Sequence, residues 1–308
     1  MDFTWFNLDD LHLRYREISF GEHQGYRGCE KLERRIPVKS TDALHVLCHN
    51  IAMSPRLVQA LEIATIAGRS TLSLFQNQPE VEIKSDETPV TIADKHAEEI
   101  ARREIEKRFP GEAILGEEQG MSGAGDDCWV IDPIDGTKSF IAGVPLYSTL
   151  LSYEQAGQPI LGVVYFPALD ELFYAELGGG AFCNGRQLHC QDVAGFKNSI
   201  ICCGSHSGMK KNGYQEGLDR IAVEAMATRT WCDAYGHMLV AAGRVAAMLD
   251  PTVARWDISS VIPIVREAGG VAMSFSGGDP LAESESTKYN LISTAPGLRD
   301  ALLETFAQ

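Results

Sequence analysis

The stretch Cys128-Trp-Val-Ile-Asp-Pro-Ile-Asp-Gly-Thr137 decides how the rest of this chain is read. Its first four residues are apolar and favour extended backbone, which predicts a short buried strand over Cys128–Ile131. Asp132-Pro133 predicts the end of that strand, because proline has no N–H to give to a ladder. Ile134 and Gly136 let the chain turn sharply, so that Asp132, the Ile134 carbonyl and Asp135 could aim at one point. Two carboxylates held close together at the end of a buried strand repel strongly; they either share a proton or hold a divalent cation. Carboxylates, a backbone carbonyl and water suit Mg²⁺, with Mn²⁺ as the usual substitute. The plain alternative is an Asx-type turn capped by its own aspartates, which is the preferred reading of this short sequence taken alone.

Outward from that stretch, Glu117, Glu118, Asp126 and Asp127 add acidic groups with no Lys or Arg between Leu115 and Thr137. Gly116-Glu-Glu118 sits at a strand end, where another carboxylate could join a cation. Further upstream, Lys84 and Asp94 flank a short strand and turn. Thr91-Ile-Ala-Asp94 opens a helix running to about Phe109, with Glu98/Arg102 and Glu99/Arg103 as supporting charge pairs at four-residue spacing. Downstream, Trp256-Asp257 lies at the start of a helix over 257–268. Asp94 and Asp257 both read equally well as ordinary helix-start acids favoured by the dipole.

The organisation around these motifs alternates helix and strand. Ser54-Pro55 starts a helix. Strands follow at Tyr147–Tyr153, Pro159–Phe166 and Glu171–Glu176, then Ile200–Cys203, Val245–Leu249, 271–275 and 291–294, with helices at 214–227 and Gly236–Gly243. This predicts three regions: an N-terminal extension at 1–52, a lobe with the acidic motifs at 53–195, and a second lobe at 196–308. Met53 is either the true initiator or an internal residue behind a real N-terminal arm. Gly178-Gly-Gly180 is turn material with no helix after it, and neither GxGxxG nor a Walker sequence occurs.

Composition narrows the function classes. The chain has 308 residues, 44% of them hydrophobic and 22% charged, which suits a globular protein with a sizeable core. A formal charge of -15 argues against nucleic-acid or anionic-membrane partners, since both demand a basic surface. The 8 cysteines include no CxxC pair and several lie in apolar runs, so they read as reduced core residues of a cytoplasmic protein. The 8 histidines are scattered, without zinc or haem spacing. The acidic cluster also lacks the spacing of an EF-hand calcium site.

Taken together, Lys84…Pro89-Val-Thr-Ile-Ala-Asp94, Gly116-Glu-Glu118, Asp132-Pro-Ile-Asp-Gly-Thr137 and Trp256-Asp257…Glu267-Ala-Gly-Gly270 resemble the inositol monophosphatase superfamily of Mg²⁺-dependent phosphatases, in order and spacing over about residues 55–305. The resemblance implies a layered α/β/α/β/α fold of the sugar-phosphatase type, with two sheet-containing lobes, and a homodimer as the usual assembly. It implies that Glu117, Asp132 and the Ile134 carbonyl hold one cation and that Asp132, Asp135 and Asp257 hold a second. Glu117 would also help with a weaker third beside the attacking water. Asp94 and Thr137 would orient and deprotonate that water, and the N–H groups of Gly136 and Thr137 would cradle the phosphate. Lys84 matches a loop lysine near the metal-bound water; a solvated surface lysine is the rival reading. The chemistry is coherent in its own terms: a carboxylate-rich site repels a phosphate dianion unless cations reverse its sign. The one Cys-x5-Arg spacing, Cys29 to Arg35, lies in the N-terminal segment apart from these motifs, so direct attack by water is favoured.

The second lobe bears on the substrate, a small phosphorylated metabolite. Val240-Ala-Ala-Gly-Arg244 is similar to inositol phosphatases, but Trp231-Cys-Asp-Ala-Tyr-Gly236 departs from their small-residue run. Asp233 and Tyr235 resemble the histidinol-phosphate phosphatase branch, as does Lys138-Ser-Phe-Ile-Ala-Gly143, although Cys232 replaces that signature's first glycine. Asp250 matches a carboxylate on the substrate's alcohol side. An extra carboxylate at 233 suits a cationic leaving group, and Arg229 could order these acids; Asp233 reads alternatively as a helix N-cap. L-histidinol phosphate is therefore the expected substrate. Inositol monophosphate and a 3′-phosphoadenosine-type nucleotide are the alternatives within the class. A non-catalytic metal-binding scaffold is the alternative outside it, and survival of Glu117, Asp132, Asp135 and Asp257 speaks against that one.

Overall fold

The structure is a computed structural model that describes residues 53–85, 88–125, 127–231, 233–282 and 288–307. The extension expected at 1–52 lies outside these residues, as do Asp126, Cys232 and three of the cysteines' surroundings at 29, 48 and 232.

Helix α1 (Pro55–Thr71) begins as the sequence implies, with the Ser54 hydroxyl accepting from the Leu57 N–H and Pro55 in the first turn. A short hairpin, β1 (Val81–Ile83) and β2 (Pro89–Thr91), leads into α2 (Ile92–Arg108). Eight strands then build the larger sheet: β3 (Ala113–Gly116), β4 (Gly120–Ser122), β5 (Cys128–Asp135), β6 (Ser148–Gln155), β7 (Gln158–Phe166), β8 (Glu171–Glu176), β9 (Ala181–Cys183) and β10 (Arg186–Gln187), in the order β10-β9-β8-β7-β6-β5-β3-β4. A single-turn helix, α3 (Thr137–Ile141), interrupts the run between β5 and β6.

The second sheet is ordered β12-β11-β13-β15-β14, from β11 (Ile200–Cys203), β12 (Ala227–Arg229), β13 (Ala247–Val253), β14 (Val271–Met273) and β15 (Tyr289–Thr294). Its helices are α4 (His206–Lys211), α5 (Gln215–Glu224), α6 (Ala234–Ala241), α7 (Arg255–Ser259), α8 (Val261–Glu267) and α9 (Arg299–Phe306).

Burial dictates the layering. Leu57, Ile63, Ile105, Trp129, Ile131 and Val163 form one core between α1/α2 and the larger sheet. On that sheet's opposite face Leu150, Val164, Phe166 and Phe173 meet Met238, Ile262 and Val265, so α6 and α8 lie between the two sheets. Beyond the smaller sheet, Met209, Leu218, Leu302 and Phe306 close the last layer against Ile201, Leu249 and Ile292. The result is the expected α/β/α/β/α stack. Strand β5 is buried along its whole length, and successive residues serve opposite faces: Trp129 and Ile131 join the α1/α2 core, whereas Cys128 and Val130 join a cluster with Ala113.

Two local expectations need correction. The strand does not stop at Asp132; β5 runs through Pro133 to Asp135 across a bulge, with Asp132 opposite Leu150 and Asp135 opposite Ser148. The bulge tolerates a residue that cannot donate to the ladder, and the Thr149 hydroxyl donates to the Pro133 carbonyl at 2.8 Å. The helix expected over 257–268 is two pieces, α7 and α8, parted at Ser260. Pro263 has no N–H for the turn before it, which suits the first turn of a new helix and not the interior of a longer one.

Candidate active site

Sheet register brings the first carboxylates together. β3 pairs in parallel with β5, Gly116 opposite Ile131, so the residue after each pair, Glu117 and Asp132, emerge side by side at the strand ends. The Glu117 N–H donates to the Ile131 carbonyl at 3.2 Å, and its carboxyl lies within hydrogen-bonding reach of Asp132. Asp257 arrives from far along the chain, on α7. It is the third residue of that helix and not its N-cap, and its Oδ2 accepts from the Ala254 N–H at 2.7 Å. Carboxylate oxygens of Asp132, Asp135 and Asp257 lie within 4.8 Å of one another.

These groups share a cleft of about 280 Å³ lined by Glu117, Asp132, Ile134, Asp135, Gly136 and Thr137, with Lys138, Asp233, Thr252 and Asp257 completing the wall. Burial, then Glu117, Asp135 and Asp257, push the Asp132 carboxyl well above the usual carboxylate range. Burial, then Asp233 and Asp257, do the same to Asp135. Asp257 is pushed up to about 7, first by burial and then by Glu117, Asp250 and Asp233, against the opposing Ala254 hydrogen bond. An all-oxygen, mutually repelling set of this kind fits a divalent cation: the charge that raises these pKa values is what a cation would neutralise.

The remaining oxygens are oriented by the backbone. Asp94 is the third residue of α2 and, like Asp257, closes a capping box: its Oδ2 accepts from the Thr91 N–H at 2.8 Å and the Thr91 hydroxyl at 2.6 Å. Its other oxygen, Oδ1, faces the Thr137 hydroxyl at 3.3 Å; that hydroxyl also reaches the Ile134 carbonyl at 3.1 Å. Burial raises the Asp94 pKa despite the Thr91 hydrogen bonds. Gly136 has φ 78 and ψ 41, the left-handed region that a side chain would strain, and it caps α3 without any side-chain acceptor. The first N–H groups of α3 therefore border the cleft. Asp135 Oδ2 accepts from the Ser148 hydroxyl at 3.1 Å and from the Ala234 N–H at 2.9 Å, which ties the end of β5 to the start of α6.

Lys84 is not a solvated surface lysine. Its Nζ bridges Glu117 Oε1 at 2.8 Å and Glu118 Oε1 at 2.6 Å. Burial lowers its pKa, but the bonds to the two glutamates outweigh that and raise it. Glu118 is pushed up to about 7 by burial, in spite of Lys84.

Asp233 stands at the N-cap position of α6 with φ 59 and ψ -157, and its side chain makes no capping bond. Its Oδ2 lies 2.9 Å from the point a Cβ on Gly136 would occupy, so it overhangs the α3 turn. Asp250 borders an adjoining hollow of about 80 Å³ together with Asp135, Asp233, His237, Thr252 and Asp257. The structure does not bring Arg229 to these acids. It is exposed on β12, donates to the Thr228 carbonyl at 2.8 Å and sits 6.0 Å from the Trp231 ring.

Some neighbours carried no sequence signal. His237 is buried on α6, with Nδ1 2.8 Å from the Ser293 hydroxyl and Nε2 3.4 Å from Asp250 Oδ2. Thr252 lines both hollows. The Glu98/Arg102 pair, read only as a four-residue charge spacing, is buried and grips the turn after β3. Glu99 and Arg103 are the exposed ones.

The profile of the Inositol monophosphatase family matches residues 52–307. A protein from Chlorobaculum parvum named histidinol-phosphatase is 42% identical over 236 residues, 76% of this chain and 91% of its own. One from Mesorhizobium japonicum named inositol-1-monophosphatase is 35% identical over 245 residues, 77% of this chain and 91% of its own. The solved structure of an IMPase from Thermotoga maritima superposes with a TM-score of 0.75 at 32% identity, covering 82% of this chain and 97% of that one. Family profile, relatives, layered fold and acidic cleft agree: this chain belongs to the inositol monophosphatase family and is a phosphoric monoester hydrolase.

Proposed function

We propose that the chain hydrolyses L-histidinol phosphate to L-histidinol and phosphate. The observation that carries this reading is the Asp233 carboxylate, which overhangs the α3 turn with Asp250 bordering the adjoining hollow. A phosphate seated on the N–H groups of Gly136 and Thr137 would direct its ester oxygen toward these acids. Histidinol offers a primary ammonium and an imidazole there, whereas inositol offers only hydroxyls. The similarity to proteins named histidinol-phosphatase supports the same reading.

Glu117, Asp132, the Ile134 carbonyl, Asp135 and Asp257 would hold two or three Mg²⁺ ions, with Mn²⁺ as a substitute. Bound there, such cations supply charge neutralisation and Lewis acidity for in-line displacement at phosphorus. The chain's own groups do the rest. Thr137 and Asp94 Oδ1 orient the attacking water, and Asp94 takes its proton, a task helped by a pKa above the usual carboxylate value. The water oxygen–phosphorus bond forms as the bond to the histidinol oxygen breaks; that oxygen leaves with a proton from solvent, and Asp94 returns the one it took to solvent.

Phosphate release from histidinol phosphate, inositol 1-phosphate and 3′-phosphoadenosine 5′-phosphate, each with Mg²⁺, tests the assignment. Preference for histidinol phosphate is expected; robust turnover of inositol phosphate with none of histidinol phosphate overturns it. Inositol monophosphate is the second reading, favoured by Val240-Ala-Ala-Gly-Arg244 and by relatives named inositol-1-monophosphatase.

A further inference from the structure

We infer that Glu98 and Arg102 are positioning residues for Glu117, holding the turn that presents it to the cleft. The inference rests on the reading of Glu117 as a metal ligand.

Glu98 is 0% exposed, where an isolated charge would be costly. Each of its oxygens is committed to the turn: Oε2 accepts from the Glu118 N–H at 2.7 Å and Oε1 from the Gln119 N–H at 3.1 Å. Arg102 Nε donates to the same Oε1 at 2.7 Å and offsets its charge. The guanidinium continues across the turn, with Nη1 on the Ser122 hydroxyl at 3.0 Å and Nη2 on the Gly120 carbonyl. Gly116, on the other side of Glu117, has no room for a side chain, since a Cβ would fall 2.2 Å from Glu98 Oε1.

The pair thus engages the backbone just after Glu117 and crowds the residue just before it. The β3–β4 pairing ends at Gly116 opposite Gly120, so that ladder makes no bonds to residues 117–119. The N–H groups of 118 and 119 are bound by Glu98 and by nothing else described, while that of Glu117 binds Ile131. Neither Glu98 nor Arg102 lines the cleft, so any effect on a bound ion must pass through the turn. Groups that orient a metal ligand without touching the ion commonly matter about 10–100-fold in affinity.

The test is Mn²⁺ binding to the full-length protein, followed by titration calorimetry and by the electron paramagnetic resonance of free Mn²⁺, with thermal melting alongside. Glu98→Gln replaces one acceptor with a donor facing donors. It is expected to weaken Mn²⁺ binding about 10–100-fold, with kcat largely recovered at high Mg²⁺. Should Glu98→Gln fail to fold, Arg102→Lys keeps the charge but loses the grip on Gly120 and Ser122, and is expected to weaken binding in the same direction. In a Glu117→Gln background the Glu98→Gln effect should disappear. Unchanged Mn²⁺ affinity in a folded variant, or an equal loss with Glu117 already removed, overturns the inference while leaving the metal reading intact. Wild-type protein that binds no Mn²⁺ overturns both.

Discussion

Glu117 and Asp257 reach the cleft from opposite directions, and each rests on a buried glutamate backed by an arginine. Beneath Glu117 the pair is local, Glu98 and Arg102 one turn apart on α2. On the Asp257 side the pair joins segments far apart in sequence: Glu154 at the far end of β6 accepts from Arg255 Nε at 3.1 Å, from Arg255 Nη2, and from the Ser259 hydroxyl at 2.8 Å, all on α7. The local pair binds a turn through its peptide N–H groups; the long-range pair binds a five-residue helix through its side chains. A turn has loose backbone donors to offer. On α7 the groups that face Glu154 are instead the side chains of Arg255 and Ser259.

The sharpest way to break the comparison is to remove the centre that both arms address. Asp132→Asn should lower phosphate release by at least ~10³-fold, the upper end of the loss for one electrostatic group, with circular dichroism little changed. Near-normal turnover would dissociate both arms from catalysis. Next, the two braces should differ in effect. Glu154→Gln strips the carboxylate from a pair joining elements about a hundred residues apart and should cost toward the lower end of the ~3–5 kcal/mol typical of a broken buried pair, since Arg255 remains 32% exposed. Glu98→Gln leaves an arginine only 10% exposed and should cost at least as much, while lowering Mn²⁺ affinity more than Glu154→Gln does; the reverse ranking in affinity would refute the contrast.

A third prediction concerns pH. Asp132, Asp135 and Asp257 have folded-state pKa values raised above the ~3.9 of an unfolded aspartate, so between those values the folded state holds more protons. Folding stability is then greatest at low pH and falls as pH rises through the window, which for Asp257 ends at about 7. Melting in EDTA should be higher at pH 5.5 than at pH 8 (both chosen as ~1–2 units to either side of that window's upper end), and Mg²⁺ should flatten the difference. A rise with pH in EDTA would contradict it. Smaller still, Asp233→Gly should relieve a backbone conformation that costs a side chain about 1–3 kcal/mol, raising the melting temperature while reducing kcat/KM for histidinol phosphate. Smallest is Arg229→Ala, which should stay within ~0.5 kcal/mol in stability and leave KM unchanged.

The layered fold and the acidic core of the site were legible through the four motifs that carry the family resemblance, from Lys84…Asp94 to Trp256-Asp257…Gly270. What was not legible has physical reasons. Four-residue spacing between Glu98 and Arg102 is the same for an exposed pair and a buried one; only the shared helix face with Ala97, Ala101 and Ile105, all buried, distinguishes it from Glu99 and Arg103. Arg229 is near Asp233 in sequence, but β12 ends before α6 begins and carries it to the sheet edge. His237 and Thr252 become neighbours of the acids only when β13 and α6 dock, which no local pattern encodes.

The bulge at Pro133 has a geometric consequence of its own. In an even pleat, side chains three positions apart face opposite ways. One additional residue on β5 cancels that inversion, so Asp132 and Asp135 sit opposite Leu150 and Ser148, which are two apart on β6 and share a face. Parity, then, governs this corner of the molecule: a further residue inserted after Pro133 would send Asp135 toward the far side of the sheet, whatever its chemistry.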